Sequence, residues 1–273
     1  MRAVADGSKL PISCYIRTLN EAGQISRVIE AVKPVTDEVI LIDCGSTDDT
    51  IRLAEAAGAK VVHQSWLGWG KQKRAGEDAS RNGWILDIDA DEVMTEELRQ
   101  EIRELFANGE PSAKVYGLKL VTAPPVGTPW YNSRIDYRNK LYDRRTIRMP
   151  DHHAWDQLDV PTGMAVGRLK GALLHYSFRN LAHLNEKFNR DSSNSASSKR
   201  HTSITLIGLR VLFAKPFYFF KTYIMRGLWR VGLYGFIVSC IAANGRWLRD
   251  AKVFEKELME REKRRREAAQ GKS

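Results

Sequence analysis

Trp84-Ile85-Leu86-Asp87-Ile88-Asp89-Ala90-Asp91-Glu92 opens as an apolar run and closes in a cluster of acids. Trp84, Ile85, Leu86 and Ile88 suit a strand buried on both faces, as a parallel sheet covered by helices requires. Asp89 and Asp91 fall where such a strand gives way to a loop. In open α/β sheets that carboxyl end is where ligands bind. Two carboxylates one residue apart can share a hard divalent cation, which completes its shell with substrate phosphates. The competing reading is an acidic turn before a helix starting near Thr95, and Asp-x-Asp alone does not decide between them.

The flanking sequence decides for the sheet. Upstream, residues 12–16 read as a first strand, followed by the polar loop Thr18-Leu19-Asn20-Glu21. Ile25, Val28, Ile29 and Val32 recur at helical spacing and stop before Pro34. Residues 38–42 form a second strand, closed by Asp43-Cys44-Gly45-Ser46-Thr47-Asp48-Asp49-Thr50, where Ser46 or Thr47 is expected to cap the next helix. Residues 60–62 give a third strand, 66–70 an aromatic loop with glycines, 71–80 a helix and 84–88 the fourth strand. Strands alternating with helices predict a parallel sheet. Asn20, Glu21, Asp43, Asp89 and Asp91 then share one rim. Downstream, a helix is expected over 95–107, a strand over 115–121, a substrate-facing loop over 124–131 and a strand-like run over 140–148 bearing Arg144, Arg145 and Arg148. A polar cluster spans Asp151 to Asp159, residues 164–176 read as paired strands, and the chain turns helical after Asn180.

The chain has 273 residues, 43% hydrophobic and 28% charged, enough for one catalytic-size core and an appendage. A net charge of +10 calls for an anionic partner: nucleic acid, an anionic membrane or a phosphorylated substrate. Cys14, Cys44 and Cys240 show no metal spacing and read as inert thiols of a reducing compartment. Residues 1–9 are polar with no apolar run of a signal peptide, and no stretch reaches the roughly 20 apolar residues of a membrane span. A cytoplasmic protein is the expectation.

The succession Asn20-Glu21, Asp43-x-Gly45-Ser46-Thr47-Asp48-x-Thr50, Gly70-x-Gln72-Lys73 and Asp87-x-Asp89-Ala90-Asp91-Glu92 resembles the family 2 inverting glycosyltransferases of the GT-A fold. With Leu174-His175-Tyr176-Ser177 and the basic C-terminus, it is similar to the branch that includes lipopolysaccharide core β-1,4-glucosyltransferases. The resemblance implies an α/β, Rossmann-like, mostly parallel sheet with helices on both faces, plus a C-terminal basic helical segment. The resemblance covers roughly residues 10–250; the division expected is a catalytic domain over 10–178, a helical, membrane-associating segment over 179–250 and a charged tail over 251–273, a helix fraying from about Lys252.

It also implies chemistry. Asn20, Glu21 and Asp43 would bind the base and ribose of a nucleotide sugar, a UDP-hexose such as UDP-glucose. Asp89 would approach ribose and metal, and Asp91 would hold Mg²⁺ or Mn²⁺ on the diphosphate. Lys73, with Lys71 and Arg74, lies where positive charge meets phosphate. Inverting transfer needs one general base. Where the branch carries a His-Glu pair this chain reads Trp155-Asp156, so Asp156 is the candidate, with Asp159, Glu92, His152 and His153 as alternatives. Arg138, Arg144 and Arg145 are candidates for a phosphate. The acceptor would be lipopolysaccharide core or another lipid-linked glycan. Two other classes stay open: a nucleotidyltransferase, although residues 12–21 lack a glycine- and arginine-rich phosphate loop, and a nucleic-acid-binding protein, although no such motif accompanies the charge.

Residues 192–249 contain no Asp or Glu, but they carry Lys199, Arg200, Arg210, Lys215, Lys221, Arg226, Arg230, Arg246 and Arg249 among aromatic and aliphatic residues. This pattern suits helices lying on an anionic bilayer. The expectation is a peripheral protein on the inner face of the cytoplasmic membrane, with no nucleic-acid partner.

Overall fold

Alternation along the central strands sorts side chains onto two faces, and each face attracts its own helices. In the computed structural model, which describes residues 9–197 and 203–270, the first strands are β1 (Ile12–Thr18), β2 (Glu38–Asp43), β3 (Lys60–His63) and β4 (Trp84–Asp89). On one face Ile12, Cys14, Ile16, Leu41, Trp84, Leu86 and Ile88 pack with α1 (Ile25–Val32), α2 (Thr50–Ala56) and α4 (Glu96–Phe106). On the other lie Tyr15, Ile40, Ile42, Ile85 and Tyr142, next to α3 (Trp69–Ala79). Gly76 of α3 sits so close to Tyr15 that a Cβ there would meet its ring at 2.6 Å.

The sheet has eight strands in the order β3-β2-β1-β4-β7-β6-β8-β5. The added members are β5 (Glu92–Met94), β6 (Val115–Thr122), β7 (Asp136–Asp143) and β8 (Val166–His175). β3, β2, β1 and β4 are mutually parallel, as the βα alternation predicts. β7 runs antiparallel to β4 and β6, β6 is parallel to β8, and β5 is antiparallel to β8. The sheet is therefore α/β with helices on both faces, and mixed beyond β4.

Several local expectations change. The stretch 164–176 holds one long strand, β8 (Val166–His175), whose partners are the distant β6 and β5, not a neighbouring hairpin arm. The expected strand over 140–148 ends at Asp143, and Arg144 and Arg145 lie in the following turn. Neither Ser46 nor Thr47 caps α2, which starts at Thr50. Thr95 does cap α4, its hydroxyl accepting from the Leu98 N–H at 3.3 Å.

The chain divides into two compact units: the described residues up to Ala123 with Ile135–Ser177, and Pro124–Arg134 with the described residues from Phe178 onward. Residues 124–131, read from sequence as a substrate-facing loop, group with the second unit. That unit contains α5 (Leu181–Ser197), α6 (Ile204–Phe220), a π-helical turn Lys221–Met225, a 3₁₀ turn Leu228–Val231 and α7 (Leu233–Gln270). Trp130, Phe178, Leu184, Leu228 and Val238 form its core. α7 runs unbroken through residues 251–270, where a separate tail was expected. Of the basic residues noted above, Lys199 and Arg200 lie outside the described residues, as do residues 1–8 of the N-terminal stretch and residues 271–273 of the tail.

Candidate functional site

Parallel strands deliver their carboxyl ends to one edge. The register places Thr18 beside Asp43, Arg17 beside Asp89, and Asp43 beside His63. Asp87 and Asp89 alternate with Leu86 and Ile88, so they share the face of Ile85, which is the α3 face. Arg17 follows Tyr15 onto that face by the same rule.

A charged cluster assembles there. Lys73 of α3 is only 2% exposed and donates to Asp87 Oδ2 at 2.7 Å. Its Nζ also lies 3.8 Å from Asp89 and 3.9 Å from Asp156. Arg17 pairs with Asp89 at 2.9 Å and Asp156 at 3.7 Å, and its guanidinium lies 4.8 Å over the Trp69 ring. Lys140 of β7 reaches Asp89 at 3.2 Å and the buried Glu92 at 2.8 Å. Glu92 in turn accepts the Asp89 N–H at 2.9 Å. Burying charges carries a desolvation penalty that pairing only partly offsets. A cluster like this at a strand-end rim is a functional-site signature with a physical rationale.

The cluster drives two of its acids, Asp89 and Glu92, in opposite directions. Burial opposes ionisation of Asp89, but Lys140, then Lys73 and Arg17, outweigh it and hold that carboxyl well below the usual range. Burial raises Glu92; Lys140 opposes the rise, and the Asp89 charge adds to it. Lys140 is held well above the ordinary lysine range, because Asp87, Asp89 and Glu92 overcome its burial.

Asn20, Glu21 and Asp43 occupy the neighbouring part of the rim. Asp43 continues the Val39–Leu41 face of β2, and its carboxylate accepts from the Gly45 and Ser46 N–H groups at 2.9 and 3.0 Å. Asn20 has φ 56°, a left-handed conformation that Asn tolerates better than most residues. Its Oδ1 accepts from the Thr47 N–H at 2.8 Å, and its own N–H donates to Ser46 Oγ at 2.9 Å. The Glu21 N–H donates to Thr50 Oγ1 at 2.8 Å. Ser46, Thr47 and Thr50 thus pin the Asn20 loop instead of capping α2.

Asp91 stands beyond β4, its Oδ2 3.1 Å from His175 Nε2 at the end of β8. Both side chains are about a quarter exposed. Among the described residues no three His, Cys, Asp or Glu side chains form a metal cage. A carboxylate at an open rim, with His175 beside it, fits instead the sparse protein shell of a hard cation that takes its other ligands from phosphates and water.

The loop carrying Asp156 packs on the start of α3. The Trp69 N–H donates to His153 O at 2.7 Å, and the Gly70 N–H to His152 O at 3.1 Å. A Cβ on Gly70 would meet Trp155 O at 2.1 Å, so only glycine lets these backbones approach so closely. His152 Nδ1 accepts from the Trp155 N–H at 2.9 Å, and His153 Nδ1 lies 3.0 Å from Leu67 O. Those histidines serve the loop. Asp159 accepts from Trp155 Nε1 at 2.9 Å, and Glu92 is buried. Of the five candidate bases, Asp156 and Glu92 join the charged cluster, and of these two Asp156 is the one that is not buried.

The arginines of the 138–148 stretch fall in different places. Because β7 is antiparallel to β4, Asp143 pairs with Trp84 at the strand's beginning. Arg144, bonded through its N–H to Gly83 O at 2.9 Å, and Arg145, paired with Asp143 and Glu110, therefore lie at the edge opposite Asp89. Neither joins the acid cluster. Arg138, at the other end of β7, contacts Gln157 at 3.3 Å. Arg148 pairs with Glu77 and Asp78. Arg17 and Lys140 enter the site without having been singled out in the sequence, and His175, noted there only within Leu174-His175-Tyr176-Ser177, joins them. A charge inside the apolar run Ile12–Thr18 was a usable signal for Arg17, and Lys140 carried none.

A parallel half-sheet with acids along its carboxyl rim is an architecture that binds nucleotides and related ligands. Residues 13–168 match the family described as Glycosyl transferase family 2, and the chain belongs to that family. It is 36% identical over 257 residues to an "Uncharacterized glycosyltransferase" of Rickettsia bellii, covering 90% of this chain and 87% of that one. It is 28% identical over 259 residues to the "Lipopolysaccharide core biosynthesis glycosyltransferase LpsC" of Rhizobium meliloti, covering 92% and 94%. A solved structure of glucosyl-3-phosphoglycerate synthase from Mycobacterium tuberculosis aligns over 42% of this chain and 44% of its own, at 26% identity and a TM-score of 0.33. The protein is a family 2 glycosyltransferase with an α/β sheet, resembling the lipopolysaccharide core branch. Family membership sets aside the nucleotidyltransferase reading.

Proposed function

We propose that the protein transfers a hexose from a UDP-sugar, with inversion, to a lipopolysaccharide core or other lipid-linked glycan. The observation that carries the reading is Asp89, held ionised at the sheet rim by Arg17, Lys73 and Lys140 beside the candidate base Asp156. The likeness to LpsC over nearly the whole chain supports the acceptor class.

On this reading Asn20, Glu21 and Asp43 receive the base and ribose. Asp91, with His175 beside it and Asp89 within the cluster, would hold Mg²⁺ or Mn²⁺. That cation supplies Lewis-acid neutralisation of the leaving diphosphate. Arg17 Nη1 is buried without a hydrogen-bond partner, which leaves it a donor for an incoming oxygen. Lys73 is committed to Asp87 and buried, so we assign it the positioning of Asp89 and Asp156 in place of direct phosphate contact. Asp156 takes the proton of the acceptor hydroxyl as its oxygen attacks the anomeric carbon and the bond to the diphosphate breaks.

The test is calorimetry of UDP binding with and without Mn²⁺, joined to a screen of UDP- and GDP-hexoses for metal-dependent hydrolysis. The unmodified protein should bind UDP more tightly with metal and hydrolyse a UDP-hexose slowly. Asp91→Asn should lose the metal-dependent part of binding while staying folded, because the amide keeps the shape and loses the charge. A folded Asp91→Asn protein with unchanged metal dependence would remove Asp91 from the metal site.

A further inference from the structure

α6 is built inside out. Its residues Ile207 and Ala214 are buried, Arg210 donates to Asp250 of α7 at 3.1 Å, and Val211 O accepts from Trp247 Nε1 at 3.1 Å. Tyr218 OH, on the same side, accepts from Arg249 at 3.3 Å. The face turned towards α7 therefore carries the polar contacts. Leu206, Leu209, Phe213, Phe217, Phe220 and Ile224 recur at three- and four-residue spacing along the opposite side. With Leu212 they are 44–71% exposed. Met225, Trp229 and Leu233 extend the exposed apolar surface past the helix end at 49–75%. Surfaces of monomers rarely keep so continuous an apolar patch without a use for it.

Charge decides what covers it. Residues 192–249 hold no acid, and buried Asp250 is already paired with Arg210 and Arg249. Lys215, Lys221, Arg226 and Arg230 are left exposed along the stripe and its continuation. An apolar stripe on a helix that carries cations and no acid matches one surface in particular: acyl chains beneath anionic headgroups. No helix among the described residues is long and apolar enough to cross a membrane, so the contact is lateral.

We propose that the outward stripe of α6, continued through Met225, Trp229 and Leu233, is a docking surface for an anionic lipid bilayer, with Phe213, Phe217 and Phe220 entering the acyl boundary and Lys215, Lys221, Arg226 and Arg230 meeting lipid phosphates. This inference rests on the second unit alone and not on the assignment of donor, metal or base.

The experiment is flotation of the full chain with vesicles of phosphatidylcholine, alone or mixed with phosphatidylglycerol. The unmodified protein should float with the mixed vesicles and less so at high salt. Neutralising Lys215, Lys221, Arg226 and Arg230 to Gln should weaken binding to the mixed vesicles roughly a hundredfold or more, since each charge is worth about fivefold. Phe213→Ser, Phe217→Ser and Phe220→Ser together should abolish flotation at every salt concentration. Retained UDP binding and an unchanged thermal midpoint separate loss of docking from loss of folding or of donor chemistry. Light scattering of the unmodified protein covers the other occupant. If it is a dimer that becomes monomeric on the serine substitutions and ignores mixed vesicles at low salt, the stripe is a subunit interface and the proposal falls. Equal flotation with neutral and anionic vesicles at all salts would also overturn it.

Discussion

Two regions invert the ordinary placement of residues in opposite directions. At the sheet rim, Lys73, Asp87, Lys140 and Glu92 put charges where apolar side chains normally go. Along α6, phenylalanines and leucines stand where charges normally go. The rim is closed on itself: every cation there has at least one carboxylate partner within 4 Å. The cations of the α6 stripe are exposed and have no carboxylate partner among the described residues: Lys215 lies over the Trp247 ring and Arg230 donates to Asn132 O. Buried, mutually paired charge holds one geometry in place, whereas exposed apolar surface awaits something external. Stability and function should therefore respond differently to substitutions in the two places.

The sharpest way to break the comparison is the candidate base. Asp156→Asn should cut transfer by about 10²–10⁴-fold, the range for a lost general base, and leave UDP affinity near normal. Single-turnover transfer set against calorimetric UDP binding makes that separation. An equal loss in Asp159→Asn, without one in Asp156→Asn, would move the role along the loop.

Next is the buried network. Lys140→Met should cost about 3–5 kcal/mol in denaturant unfolding, because Glu92 and Asp89 are left without their shared cation. It should also change acid stability. Asp89 has a native pKa below its unfolded value, so its stabilisation is present above the ordinary carboxylate range and disappears only as pH falls through the lower native value. Without Lys140 that native value rises, and acid unfolding should begin at higher pH. Glu92, raised in the native state, works the other way: its contribution is present below the ordinary value and fades as pH rises through the native one. An acid-unfolding curve unchanged in Lys140→Met would show that Asp89 owes its low pKa to the other cations.

The smallest effect is expected on α6. Phe217→Ser should change stability by no more than about 0.5 kcal/mol, as for a surface substitution. Trp84→Ala is the internal reference. Trp84 is 1% exposed and packs edge-to-face on Phe106 at 5.1 Å, so its loss should cost about 3–5 kcal/mol. Comparable thermal shifts in the two variants would mean that Phe217 is a core residue and erase the contrast.

Local sequence determined a good deal of this protein. Short, near-continuous apolar runs marked β1 to β4, and Asp89 and Asp91 came at or just past a strand end, because apolar runs and turn chemistry are written within a few residues. Tertiary structure alone decided three other matters. Arg144 and Arg145 lie opposite the acids, and Lys140 among them, because β7 pairs antiparallel with β4, and strand pairing is a long-range choice. Lys73 points inward because α3 lies on the face that Asp87 and Asp89 share, which no window around Lys73 reveals. α6 is apolar nearly all round, so its sequence could not say which side would face α7. Arg210, Trp247 and Asp250 settled that by turning the polar contacts inward and leaving the phenylalanines outside.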